Sequence, residues 1–353
     1  MVGEISRVPA RRKPFWIVWV AFALISTLAV PAWANHVHMH GGPFLGVILS
    51  VAVNPTDPKE VYCAAYGGGV FSSEDRGNSW TAINQGLPNR QVYSLLIHPR
   101  SPSRLFVGTD QGIFHSRDKG ISWTLLTPTL EKRNIRSLVI DPKNPSAMYA
   151  ATDQGVYLGE EAKWKKLSQG LTTKDVRTLV ISPEGEVFAG AFGGVFKMKR
   201  DSKTWVRIDN GLIDNQVRAL AIDPSSPLIL YAGTASGGIF KTTNGGRSWE
   251  ALNQGLSNTT VLSLAITPTQ PSTLYAGTIG GVFKILTEGN EWIPTGPELH
   301  FTVSTLAFDS AKPSHVYAGS GGRLFKSTNA GEKWEEVSRQ INYFGPAPLS
   351  AKH

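Results

Sequence analysis

Tryptophan recurs along this chain with an almost constant step. Beyond the first 34 residues it occurs only at positions 80, 123, 164, 205, 249, 292 and 334, at intervals of 41 to 44 residues. A bulky, rare residue at a fixed period marks a repeated supersecondary unit, and a period of this length belongs to solenoids or propellers. Seven such units account for nearly all of the chain that follows the N-terminal segment.

Each unit reads alike. A strand such as "VRALAIDP" (Val217–Pro224) leads through a Pro/Ser loop to a second, "LILYAGT" (Leu228–Thr234). A glycine-rich turn, a third strand and a tight turn follow, and a short fourth strand opens at the tryptophan. The cognates of the first strand include "VYSLLIHP", "IRSLVIDP", "VRTLVISP" and "VLSLAITP". Apolar runs of five to eight residues bounded by Gly, Pro, Asn and Asp are strand signals. The 36 Gly and 22 Pro serve these turns, because an apolar content of 41% is that of a globular protein. Four strands in about 42 residues make a propeller blade. The fold class is therefore all-β, a single seven-bladed β-propeller of four-stranded blades over residues 44–341. The first unit has its own first strand (Leu45–Asn54), so ring closure is expected without a strand exchanged between the termini.

The first 34 residues read as a signal peptide. Arg7, Arg11, Arg12 and Lys13 form a basic region, Phe15–Val30 an apolar one, and Ala32–Ala34 a small-residue cleavage site. The expected location is exported, periplasmic or extracellular (the thylakoid lumen if the source is photosynthetic), with membrane association only if the segment stays uncleaved. Its removal lowers the net charge from +8 to about +5, too weak and dispersed to point to nucleic acid. Residues 35–43 form a flexible segment in which His36, His38 and His40 alternate, a pattern able to bind a transition metal, and His300 could approach them. A mobile, solvated terminus is the plainer reading of the segment. Residues 342–353 are a C-terminal tail. The one cysteine, Cys63, lies in the apolar run "VYCAAY" and reads as a buried structural thiol.

Four of the tight turns share a spacing: Ser73-x-Asp75-x-Gly77-x-x-Trp80, Ser116-x-Asp118-x-Gly120-x-x-Trp123, Thr242-x-Asn244-x-Gly246-x-x-Trp249 and Ser327-x-Asn329-x-Gly331-x-x-Trp334. The pattern resembles the Asp box, or BNR repeat, of sialidase-type propellers. Its physics is local: the Asp or Asn accepts amide hydrogens, Gly supplies a positive φ, and Trp packs between sheets. Units three, four and six keep the Trp behind degenerate boxes ("GEEAKW", "RDSKTW", "TEGNEW"). A device repeated in separate blades serves folding rather than catalysis. The glycines precede no helix and no G-x-x-x-x-G-K-[ST] occurs, which excludes a phosphate loop.

Two catalytic families share the box. Sialidases use an arginine triad, a Tyr nucleophile and an Arg-Ile-Pro-like motif that the chain after residue 34 lacks. Xyloglucan-cleaving glycosidases share the "YAGT…GGIF" idiom, but pair two propellers around a cleft with carboxylates from both. The expectation is therefore no enzyme and no cofactor, with a carbohydrate-active or carbohydrate-binding propeller as the alternative.

In a propeller the loops from fourth to first strand share one face with those from second to third. Aligning the first strands places Leu49, Tyr93, Arg136, Arg177, Arg218, Leu262 and Ser304 at one position, with Arg90, Arg133 and Lys174 three residues earlier in units two to four. Arg90, Arg133, Arg136, Lys174, Arg177 and Arg218 should thus form a basic arc that binds a protein partner, such as an acidic segment of a membrane-protein complex, with few carboxylates among them. A single propeller with degenerate Asp boxes, a secretory signal and a basic arc resembles the photosystem II stability/assembly factors (Ycf48/HCF136 type). That resemblance implies a non-catalytic assembly factor acting through a basic face.

Overall fold

The computed structural model describes residues 46–198 and 203–342. His36, His38 and His40, the signal segment and the final residues lie outside them. The second strands set the architecture. "LFVGT" (Leu105–Thr109), "VFAGA" (Val187–Ala191) and "LYAGT" (Leu230–Thr234) are buried at every position, each sheet being covered on both faces by its neighbours. Their glycine marks the closest approach. A Cβ on Gly108 would meet the Ile135 carbonyl oxygen at 2.4 Å, and one on Gly233 would meet Val261 at 2.5 Å.

Seven antiparallel sheets result, six of four strands and one of five, each with its four strands in chain order. Every interface between sequential blades holds one apolar cluster, and each cluster contains one tryptophan. The cluster of Ile48, Cys63 and Trp80 with Tyr317 and Leu324 joins blade 7 to blade 1, so the ring is closed. Cys63 is a free, buried thiol there, and burial raises its pKa.

Tryptophan also stitches the blades with hydrogen bonds. The indole Nε1 of Trp123 donates to the Ile83 carbonyl of the preceding blade (2.7 Å). Trp205 donates likewise to Leu167, Trp249 to Ile208 and Trp292 to Leu252 (2.6–2.7 Å). In blade 7, Trp334 donates to the Thr295 hydroxyl (3.1 Å). The relay crosses the termini, since Trp80 donates to the Val337 carbonyl at 2.8 Å. Trp164 packs in its inter-blade cluster like the others but makes no such cross-blade bond, because its Nε1 bonds Glu161 within its own turn (2.7 Å).

Closure also corrects the expectation of no exchanged strand. Ile341–Asn342 runs parallel to Trp80–Ala82 as a fifth, outermost strand of blade 1. Blade 1 nevertheless keeps its own first strand, Val47–Val53.

The Asp boxes fold as their spacing dictates. Asp75 accepts from the Ser73 hydroxyl (2.7 Å), the Ser79 amide (2.9 Å) and the Ser79 hydroxyl (2.6 Å), while Gly77 N–H donates to Ser73 Oγ (2.7 Å). Asn244 and Asn329 accept from their Thr242 and Ser327 hydroxyls at 2.8 Å. Gly77, Gly120, Gly246 and Gly331 all have φ between 85° and 92°, where a side chain is strained. Each box is clasped to the loop between first and second strands: Arg76 N–H donates to Lys59 and Lys119 N–H to Ser103 at 2.9–3.0 Å.

Two predictions follow from these contacts. Trp249→Phe removes a donor and leaves the half-buried Ile208 carbonyl without it, so urea denaturation should show a loss of about 1–3 kcal/mol. Burial opposes ionisation of Asp75 and Asp118, but hydroxyl and amide donors outweigh it and hold both carboxyls below their ordinary value. Their contribution is therefore present above about pH 4 and is lost as pH falls through the lowered values. Asp75→Asn/Asp118→Asn, the residue blades 5 and 7 already use, should flatten the acid limb of the stability–pH curve.

Candidate functional site

The face opposite the Asp boxes is built by a repeated irregularity. In blades 1 to 6 the pairing of first with second strand skips one residue: Leu49, Tyr93, Arg136, Arg177, Arg218 or Leu262. A β-bulge re-aims the side chain of its extra residue, so one position of the repeat is turned out of the ladder in blade after blade. Blades 3, 4 and 5 place arginine there.

The three arginines form a continuous row through two shared partners. Asp175 lies between Arg136 and Arg177; its Oδ1 pairs with Arg136 Nη1 and its Oδ2 with Arg177 Nη2, the latter at 2.6 Å. The Phe192 ring lies between Arg177 and Arg218, with guanidinium carbons 4.2 and 5.6 Å from its centroid, within cation–π range. Burial pushes Arg136 down to about 10, with the Arg177 charge adding to it, and burial alone takes Arg177 to about 10. Arg218 is lowered by burial and then by Arg177. All three stay charged at neutral pH.

Polar satisfaction in the row is incomplete. Arg133 Nε, Arg177 Nε and Arg218 Nε are buried without an acceptor among the described residues. Such orphaned donors are scarce in native proteins, because each forgoes a hydrogen bond with water. Of the other cations expected in the arc, Arg133 is half-buried, whereas Arg90 and Lys174 are exposed at the rim. Tyr93 continues the row into blade 2, 5.4 Å from the Tyr66 ring.

The face carries more carboxylates than expected. Asp110, Asp153, Asp175 and Asp214 all lie in its loops, and each is engaged. Asp110 accepts from Asn89 (2.8 Å), Asp153 from Asn134 (3.2 Å), and Asp214 from the Ser236 and Gly237 amides (2.7 and 2.9 Å). Burial opposes the Asp214 charge, but the amides of Gln216, Ser236 and Gly237 and the Ser236 hydroxyl prevail and lower its pKa. Sequence reasoning missed Asp175 and Phe192. Asp175 is adjacent to Lys174 in "KDVR", and Phe192 occupies the turn position held by Asp110 and Asp153 in other blades, so an aromatic in place of a turn former was the available signal.

His300 is held by the Pro297 carbonyl (2.8 Å) and its ring neighbours Phe301. Among the described residues no group of three metal-ligating side chains occurs.

No protein-family model and no curated protein sequence matches the chain. Solved structures share its fold. An ancestral GH74 enzyme superposes with a TM-score of 0.71 at 19% identity, over 85% of this chain and 48% of the enzyme. The extracellular domain of a two-component system protein from B. thetaiotaomicron gives 0.67 at 19%, over 80% of this chain and 39% of that one. YCF48 bound to a D1 peptide gives 0.63 at 16%, over 80% of this chain and 94% of YCF48. The chain thus spans about half the length of the GH74 enzyme and nearly all of YCF48. At these identities the likeness is one of fold.

Asp175→Asn leaves Arg136 and Arg177 without their shared counter-ion. Chemical denaturation should register a loss of about 1–3 kcal/mol, less than for a fully buried pair because Asp175 is partly exposed.

Proposed function

We propose that the chain is an exported, non-enzymatic propeller that binds a protein segment through its arginine-lined face, as an assembly or stability factor for a membrane or cell-envelope complex. One observation carries this reading: three buried guanidinium Nε–H groups, on Arg133, Arg177 and Arg218, without acceptors among the described residues. A polypeptide supplies the complementary groups, backbone carbonyls and carboxylates, and charge-assisted bonds to them are the strong kind. Phe192 adds an aromatic platform between two cations. The peptide-bound YCF48 neighbour, matched over nearly its whole length, supports a peptide-binding use of such a ring.

The engagement of the carboxylates supports a non-catalytic reading. A glycosidic general acid needs a raised pKa, whereas Asp214 is lowered and Asp175 is committed to two arginines.

Affinity capture from the cell envelope with the wild-type chain and with Arg177→Gln/Arg218→Gln tests the proposal, circular dichroism confirming that both are folded. Recovery of the captured partner should fall by at least about tenfold, the scale of one lost charge-assisted contact. The exposed Lys174→Glu change should weaken capture in a salt-dependent way. Equal recovery by all three proteins, or steady turnover of xyloglucan or sialosides, sinks the reading.

A further inference from the structure

The tryptophan relay has one gap, and the gap is a pocket. In six blades the Trp lies seven residues beyond the third-strand position of the box Ser or Thr, even where the box itself is degenerate, as from Met198 to Trp205 and from Ile285 to Trp292. Blade 3 is two residues shorter, and Gly159 stands at the serine position. Trp164 consequently folds back on its own blade, so close to Gly159 that a Cβ there would meet the indole at 2.1 Å. The indole that would have reached the carbonyl of Leu126 bonds Glu161 instead.

What opens between blades 2 and 3 is a cavity of about 190 Å³, walled by Phe106, Leu126 and Trp164. Cavities of roughly 150 Å³ accept a benzene ring, so one ring with a small substituent fits. Arg104, Arg117, His98 and His115 also line it, against the single carboxylate Glu161. His98 holds the blade 3 loop at the Pro145 carbonyl, 3.3 Å away. Arg104 Nε and His115 Nδ1 are buried and lack a hydrogen-bond partner among the described residues, and the Arg104 guanidinium lies 5.8 Å from the Phe106 ring centroid. The site therefore pairs aromatic walls with a guanidinium whose Nε–H is unmatched among the described residues.

We propose that this slot binds a small aromatic carboxylate, its ring taking the place an indole occupies at the other blade interfaces and its carboxylate accepting from Arg104. This site is remote from the arginine-lined face, lying on the side of the ring that carries the Asp boxes, and does not depend on the function proposed for that face.

The test uses the full chain with 4-fluorobenzoate as probe and the neutral 4-fluorobenzamide as its isostere, followed by ¹⁹F NMR titration. The acid should bind with a Kd of about 1 mM or tighter, in keeping with its few atoms. The amide should bind at least about tenfold more weakly, as should the acid to Arg104→Met. Of the indole N–H resonances, that of Trp164 should shift most. Leu126→Trp, which fills the slot without removing a charge, should abolish binding while thermal unfolding stays near the wild-type midpoint. Acid and amide binding alike, binding unchanged by Leu126→Trp, or no saturable binding at all overturns the proposal. The acid–amide comparison needs only the wild-type protein, so it decides even if a variant fails to fold.

Discussion

One hydrogen bond, repeated at five of the seven blade interfaces, organises this protein: an indole N–H given to a backbone carbonyl of the preceding blade. Apolar burial alone would hold two sheets together at many relative angles, since it is non-directional. The indole combines a large buried surface with a single directional donor, so it fixes both the distance between blades and their relative orientation. The Gly in five of the second strands, replaced by Ala64 and Ala151 in blades 1 and 3, allows the close approach, and the Asp box delivers the indole to it. The box asparagines of blades 5 and 7, and the degenerate turns of blades 4 and 6, deliver it as well. The length of the turn is therefore the binding constraint, and the carboxylate is one of several ways to stiffen it.

The arginine face depends on the same repeat. A bulge at one position would be a local defect in an ordinary sheet, but repeated in six of the seven blades it generates an arc of side chains turned out of the ladder at fixed spacing. Which chemistry that arc carries is decided by one residue per blade: arginine in three consecutive blades, tyrosine in the one before them, leucine in blades 1 and 6. Asp175 and Phe192 bind the arginines into one surface and limit the repulsion between like charges.

Much of this was legible in the sequence, for identifiable reasons. Periodic tryptophan revealed the blades, because one residue type at one ladder position does the same work each time. Alignment of "VRALAI" with its cognates found the row of Arg136, Arg177 and Arg218, because register is conserved by the repeat. What stayed hidden was set by contacts between units. Asp175 is an ordinary loop acid until two blades bring Arg136 and Arg177 to it. Ile341–Asn342 is too short to signal a strand and pairs only because Trp80 offers an unpaired edge. The degenerate "GEEAKW" was visible, but not that a glycine beneath the ring lets the indole lie down.

The outer strand at Ile341–Asn342 bears on how the molecule reaches its folded form. Trp80 and Val337 are separated by 257 positions, against about 40 for the other indole contacts. Because the entropy of joining two ends grows only logarithmically, that long join costs about 1.6 kcal/mol more than a blade-to-blade one. Equilibrium therefore tolerates it readily, whereas timing does not. The entropy of that closure falls due before the Trp80–Val337 bond offsets it, so the blades can stack as an open arc ahead of the circle.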